Sequence, residues 1–350
     1  GAGPPMLAWQ SEGIGGGFEP NPNAVDKLRL SMPFNRPWSL GTIRDLRQAS
    51  GQLIEAGQRA TALQVAEATG RGWLELAAAT AAVQLAEVRV ERLERALVIQ
   101  RLRFELGEIS GSERRQLELQ YAREAALARQ AEALRQALQH ELEVLAPGGL
   151  AGPLAGDLEI LVEATATPGI RLTGEDLERA PLQRLAENEA DVASFEAEYQ
   201  RRRAWGQPEI EVEWERIPDL DLVEGFDSFG FSLSFPLPLG KLGRQQIRAS
   251  QESAKSAAAA RDLMSARLRA RFDAALATAH GAEAALAELG PTLAEVGATT
   301  RSLSEQFRLG AISYLVYLDG FSRVDQVLRE AIDVRHALLL ARLELAVITD

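Results

Sequence analysis

The sequence predicts a mainly helical protein with a small β component. Long coiled-coil-like helical hairpins carry four antiparallel strands, and the whole is an internal structural duplication. Three observations predict this. Four short segments alternate apolar and polar residues and come as two pairs. A seven-residue motif occurs twice at a fixed spacing. The long stretches between carry apolar residues that step alternately by three and four, the spacing of a coiled-coil seam.

The strands come first. Successive strand side chains point to opposite faces. Glu209-Ile210-Glu211-Val212-Glu213-Trp214-Glu215 therefore divides into a glutamate face and an Ile-Val-Trp face. Ser228 to Phe235 sets Phe229, Phe231, Leu233 and Phe235 against Ser228, Gly230, Ser232 and Ser234, and stops at Pro236. The first pair follows by analogy. Leu7, Trp9 and Ser11 share one face, with Met6, Ala8, Gln10 and Glu12 on the other. Leu28, Leu30 and Met32 oppose Lys27, Arg29 and Ser31.

The duplication organises the rest. Phe104-Glu105-Leu106-Gly107-Glu108-Ile109-Ser110 reappears as Phe307-Arg308-Leu309-Gly310-Ala311-Ile312-Ser313, five of seven residues matching at an offset of 203. The same offset takes Leu30-Ser31-Met32-Pro33 onto Leu233-Ser234-Phe235-Pro236, Pro5 onto Pro208 and Leu142 onto Leu345. Repeat 1 covers residues 1–150, with a strand pair at about 5–34 and a break near 104–110. A Gly- and Pro-rich linker follows at 151–172. Repeat 2 covers 173–350, with a helix at about 175–203, a strand pair at about 208–236 and a break near 307–313. Repeat 1 lacks a counterpart of the 175–203 helix, so a first helix of about 30 residues is expected to precede Gly1.

In the helices, Val324, Val327, Ala331, Val334, Leu338, Ala341, Leu345 and Ile348 form one seam, and Val83, Ala86, Val90, Leu93 and Leu97 another. Alanine at seam positions lets helices approach closely. Gly290-Pro291 is expected to break the second long helix, because proline lacks a backbone donor and clashes with the preceding turn. A hairpin tip is expected there, marked by Gly290, Pro291 and Gly297. Gly107 and Gly310 would then interrupt the returning arms.

Composition excludes several classes. The chain has 350 residues, a net charge of −12 and no cysteine. That charge argues against a nucleic-acid partner, which needs a basic face. Disulfides and thiolate chemistry are excluded. No run of about 18 apolar residues is present, so no transmembrane helix is expected. His140, His280 and His336 stand alone in helices without metal-ligand spacing. Gly13, Gly15, Gly16 and Gly17 lead to a strand, whereas a phosphate loop opens a helix. No catalytic set is recognisable, so neither an enzyme nor a cofactor is expected.

Two readings of the strands stand side by side. A soluble hairpin buries its apolar face against a core. A membrane strand gives that face to lipid and its polar face to a wet lumen. Under the second, Trp9, Leu28, Leu30, Trp214, Phe229, Phe231 and Phe235 face lipid, while Glu209, Glu211, Glu213, Glu215, Lys27 and Arg29 line a net acidic lumen that favours cations. Single-chain membrane barrels start at about eight strands, so several copies would have to share one barrel.

Taken together, these residues resemble the TolC-like outer-membrane efflux proteins. The strand pairs, the proline closing each second strand, both Leu-Gly-x-Ile-Ser breaks and Tyr314-Leu315-Val316-Tyr317-Leu318-Asp319 carry the resemblance. Phe235-Pro236-Leu237-Pro238-Leu239-Gly240, with Gly243 and Ala249, looks most like the heavy-metal-cation (CzcC-like) branch. The resemblance implies a homotrimer whose strands close one 12-stranded barrel in the outer membrane of a Gram-negative bacterium. A helical tube would extend into the periplasm and meet an adaptor (membrane fusion protein) and an inner-membrane pump. Gly107 and Gly310 would lie in an equatorial belt, and Gly290, Pro291 and Gly297 at an adaptor-docking tip. The chain would be a passive exit duct for metal cations or small toxic compounds. The rival reading is a periplasmic coiled-coil adaptor or scaffold without a barrel.

Overall fold

A computed structural model describes residues 6–12, 25–33, 37–145, 179–203, 209–218, 224–234 and 241–349. The element order is β1 (Met6–Glu12), β2 (Val25–Pro33), α1 (Pro37–Glu105), α2 (Gly111–Leu145), α3 (Pro181–Arg203), β3 (Glu209–Ile217), β4 (Phe226–Ser234), α4 (Lys241–Arg308) and α5 (Tyr314–Thr349). The strand, long helix and shorter helix of the first half recur in the second at close to the 203-residue offset. Pro208, Phe235, Pro236 and the Gly-rich loop at 13–17 lie outside the described residues, as do the linker and the expected helix start at 175.

The chain divides into two compact units. The first comprises Gly1–Gly57 and Leu182–Met264. It holds one four-stranded antiparallel sheet in the order β1-β2-β3-β4. In its helical part α3 runs antiparallel to the start of α1. Leu185 lies 4.0 Å from the position of a Cβ on Gly57, and Asn188 Nδ2 donates to the Gln52 carbonyl at 3.4 Å. Ala49, Ala56, Ala186, Ala190 and Ala197 are buried in this unit. Their small size sets a close helix spacing at little side-chain entropy cost.

The second unit comprises Gln58–Pro181 and Ser265–Asp350. Here each long helix folds back on a shorter one. Gly72 faces Leu142 and Leu145 across α1 and α2, and Arg89 faces Glu124 at 3.9 Å. Arg271 reaches Glu344 at 2.9 Å, and Arg342 reaches Glu283 at 2.9 Å, across α4 and α5. In both pairs the partner's number falls as the helix number rises, so both are antiparallel hairpins. The expected seam of α5 is the buried one: Val324, Ala331, Leu338, Ala341, Leu345 and Ile348 are all in the core. Leu338, Ala341, Leu345 and Ile348 pack on Phe272, Ala275, Ala279 and Ala282 of α4.

The position of the reversals corrects the expected one. Pro291 lies inside α4, which runs unbroken from Lys241 to Arg308. The chain reverses instead at 106–110 and 309–313, so Gly107 and Gly310 are hairpin turns and not interruptions of a returning arm. The physics is local. Among the described residues, only these two glycines have positive φ, +77° and +74°. Each is the left-handed residue of a Schellman closure. Gly107 N–H donates to Phe104 O at 3.0 Å and Glu108 N–H to Arg103 O at 2.9 Å. Gly310 and Ala311 repeat the pattern onto Phe307 and Gln306 at 3.1 and 2.8 Å. The serine of the motif then starts the next helix. Ser110 and Glu113 form a capping box, Glu113 N–H donating to Ser110 Oγ at 3.3 Å and Ser110 N–H to Glu113 Oε2 at 2.9 Å. Ser313 Oγ accepts from Val316 N–H at 3.4 Å. Proline in a helix interior costs ~3 kcal/mol. α4 nonetheless continues through Pro291, with Phe272 buried on one side and Phe307 on the other.

Candidate functional site: the two faces of the sheet

Register decides how the strand residues meet. Leu7 pairs with Leu30, Leu30 with Val212, and Val212 with Phe231. Trp9 pairs with Leu28, Leu28 with Trp214, and Trp214 with Phe229. Met32, Ile210 and Leu233 form a third row. One face of the sheet is thus three apolar rows running across the strands. Among the described residues no core covers it: Trp9 is 69% exposed, Phe229 78% and Phe231 70%. Burying one such aromatic side chain is worth ~1.5–3 kcal/mol, so a sheet left this way lacks its apolar partner.

The other face carries every predicted charged residue of the strands. Lys27 pairs with Glu215 at 3.2 Å. Arg29 bridges Glu211 and Glu213, the latter at 3.5 Å. Ser31 donates to Glu209, and Ser232 to Glu211 at 3.3 Å. Two cations of β2 are therefore spread over three carboxylates of β3, and the face retains an acidic excess. Opposite charges directly across an antiparallel pair stabilise it by ~0.2–1 kcal/mol each, which ties β2 of one strand pair to β3 of the other.

The helical unit holds a charged centre that the sequence reading missed. Asp325 of α5 takes Arg89 Nε at 3.0 Å and Arg92 Nη1 at 3.2 Å. All three side chains are at most 13% exposed. Arg92 also stacks over the Phe321 ring, 3.8 Å from its centroid. Burial pulls the Arg89 guanidinium below its ordinary value, and Asp325 pulls it back. Asp325 directly follows the seam residue Val324, and a carboxylate there is the signal that marks it. Near the turns, Arg103 donates to the Phe307 carbonyl at 2.8 Å. Leu106 and Leu309, equivalent in the two turns, are 66% and 67% exposed. Gly290 and Gly297 lie on α4 with open space around them.

Among the described residues no helix is long and apolar enough to cross a membrane. No group of three or more His, Asp or Glu among them is placed to hold a metal ion.

This architecture, a four-stranded sheet feeding two long helical hairpins, is the fold of outer-membrane channel proteins. The chain is similar to the transmembrane channel protein CusC, with a TM-score of 0.73 and 15% identity over 98% of this chain and 83% of that one. It is similar to the outer-membrane protein VceC of Vibrio cholerae, with a TM-score of 0.73 and 12% identity over 99% and 86% of the two chains. The outer-membrane channel CmeC of Campylobacter jejuni gives a TM-score of 0.72 and 14% identity over 99% and 76%. No protein-family model and no curated protein sequence matches the chain.

Proposed function

We propose that the chain is one subunit of a homotrimeric outer-membrane duct that passively conducts substrates out of a Gram-negative cell. The observation that carries this reading is the uncovered apolar face of the sheet, backed by a charged face of equal extent. Lipid is the partner that suits such a face without a protein core, and a water-filled lumen suits the other. Four strands with two open edges need further copies to close. Three copies give a 12-stranded barrel, the assembly implied by the TolC-like resemblance. Trp9, Leu28, Leu30, Trp214, Phe229 and Phe231 then face lipid. Glu209, Glu211, Glu213, Glu215, Lys27 and Arg29 line the lumen, whose acidic excess favours cationic cargo.

The two halves, residues 1–150 and 173–350, act as equivalent repeats, each supplying two strands and one hairpin to the duct. The hairpin turns around Gly107 and Gly310 are the adaptor-facing ends, and exposed Leu106 and Leu309 are the apolar contacts they offer. Energy and cargo choice belong to an inner-membrane pump. The Phe235–Gly240 segment favours the heavy-metal-cation branch, hence metal cations or small toxic compounds as cargo.

The test is the mass of the membrane-extracted chain in detergent, followed by single-channel conductance. A trimer that resists carbonate extraction and conducts cations in preference to anions supports the reading. A soluble monomer overturns it in favour of a periplasmic scaffold.

A further inference from the structure

A cavity of about 350 Å³ opens beside Asp325, within the second unit, and is lined by α1, α2 and α5. Leu93, Leu318 and Phe321 give it apolar wall, and the guanidiniums of Arg89, Arg92 and Arg329 give it charge. The carboxylates that answer those guanidiniums fall short. Asp325 is shared, with Arg89 at 3.0 Å and Arg92 at 3.2 Å. Arg329 reaches only the Asp325 backbone carbonyl, at 3.5 Å. Glu124 stands 3.9 Å from Arg89 and already accepts from Gln120 at 3.2 Å. Asp319 also lines the cavity, but Arg323 holds it at 2.9 Å. Three cations are thus left to two carboxylates. Arg89 feels the shortage. Burial opposes its charge most, Asp325 supports it, and Arg329 and Arg92 press against it. Its Nε is buried and, although close to Asp325 Oδ2, has no hydrogen-bond partner among the described residues. A buried donor left unmade is costly, so an added acceptor is favourable there.

We propose that this cavity binds a small organic anion, a carboxylate carried on an apolar body. The carboxylate supplies the negative charge that Arg89, Arg92 and Arg329 lack, and planar guanidinium forks match its two oxygens. The apolar body rests on Leu93 and Leu318. The volume lies within the range of small-molecule sites. Arg92 is fixed in advance, its guanidinium 3.8 Å from the centroid of the Phe321 ring, and a fixed partner costs less ordering on binding. α1 and α2 form the first hairpin and α5 belongs to the second, so a bound anion ties the two hairpins together and stabilises the helical unit. The site is built without the sheet and stands whether or not the sheet meets lipid.

The test is calorimetric titration of the full chain with benzoate and with benzamide, its neutral counterpart of similar shape. Benzoate is expected to bind and to raise the unfolding midpoint, and benzamide to do neither. Two variants should move the affinity in opposite directions. Glu124→Gln removes a competing negative charge and should tighten benzoate about threefold. Arg329→Gln removes an exposed positive charge and should weaken it about threefold. Ion pairs that serve only packing would shift the midpoint of the free chain and leave benzoate affinity alone. Benzamide binding as well as benzoate, affinity that neither variant moves, or no benzoate binding overturns the proposal. Inorganic phosphate at equal ionic strength is the ion control, and phosphate binding that equals benzoate binding also overturns it. The comparison of benzoate with benzamide needs no variant and stands if one misfolds. The membrane reading fails by a separate result, a soluble monomer.

Discussion

Gly107 and Gly310, 203 residues apart, hold the same left-handed backbone, but only Gly310 has a guanidinium beside it. A Cβ on Gly310 would lie 3.2 Å from Arg103 Nη2, whereas one on Gly107 would meet nothing within 4 Å. Alanine in the left-handed region costs ~1–2 kcal/mol at either site. Gly310→Ala should cost more than Gly107→Ala, because it also pushes Arg103 away from the Phe307 carbonyl. Paired thermal unfolding of the two variants checks the order.

Asp325 is the shared partner of two nearly buried arginines. Removing one member of a buried ion pair leaves charge uncompensated and typically costs ~3–5 kcal/mol. Asp325→Ala should therefore destabilise by ~3 kcal/mol, and Asp325→Ala with Arg89→Met should recover part of it. A double-mutant cycle in denaturant measures the coupling.

Leu338 is fully buried between α5 and α4. Leu338→Ala should cost ~2–5 kcal/mol through lost burial and the cavity it leaves. Tyr314 is the contrasting case. Its hydroxyl is buried without a hydrogen-bond partner, and burial raises its pKa well above the ordinary tyrosine range. Tyr314→Phe should be neutral or stabilising, since it removes an unsatisfied polar group. Parallel denaturant melts separate the two expectations.

His336 is half-buried on α5. Burial lowers its pKa below the ordinary 6.5, against the opposing pull of Glu75 and Asp333. The unfolded chain thus binds a proton at pH values where the folded one does not. The sign follows: the stability from neutral His336 is present above the unfolded pKa and is lost as pH falls below it toward the lowered folded value. Unfolding midpoints should drop with acidification below about pH 6.5, and His336→Gln should flatten that slope.

Phe231 tests the sheet. Phe231→Arg places a charge in the middle apolar row. On a lipid face near the midplane this costs ~2–4 kcal/mol, so membrane-inserted yield should fall while the helical circular dichroism signal of the extracted chain persists. Full insertion of this variant would show that the face does not meet lipid.

The strands and the α5 seam were legible because their periods, two and about three and a half, are written directly in side-chain polarity. Trp9, Leu28, Trp214 and Phe229 needed only alternation to fall on one face, and cross-strand register then aligned them. The reversals were not legible in the same way. Gly290-Pro291 carries a strong local signal against helix, yet α4 runs through it. The true turns carry a subtler signal, a glycine followed three residues later by a serine cap. The Asp325 centre escaped because its arginines are 233 and 236 residues away, and no local pattern connects them.

The sheet has one consequence for inheritance. Among the described residues β1 and β4 are its edges. If three copies close the ring, a defective β4 spoils the work of two intact neighbours. In a cell making equal amounts of intact and defective chains, roughly one ring in eight would be wholly intact under random mixing. Edge-strand mutations would then be dominant. Lesions confined to a hairpin core, which unfold a chain before it meets its neighbours, would be recessive.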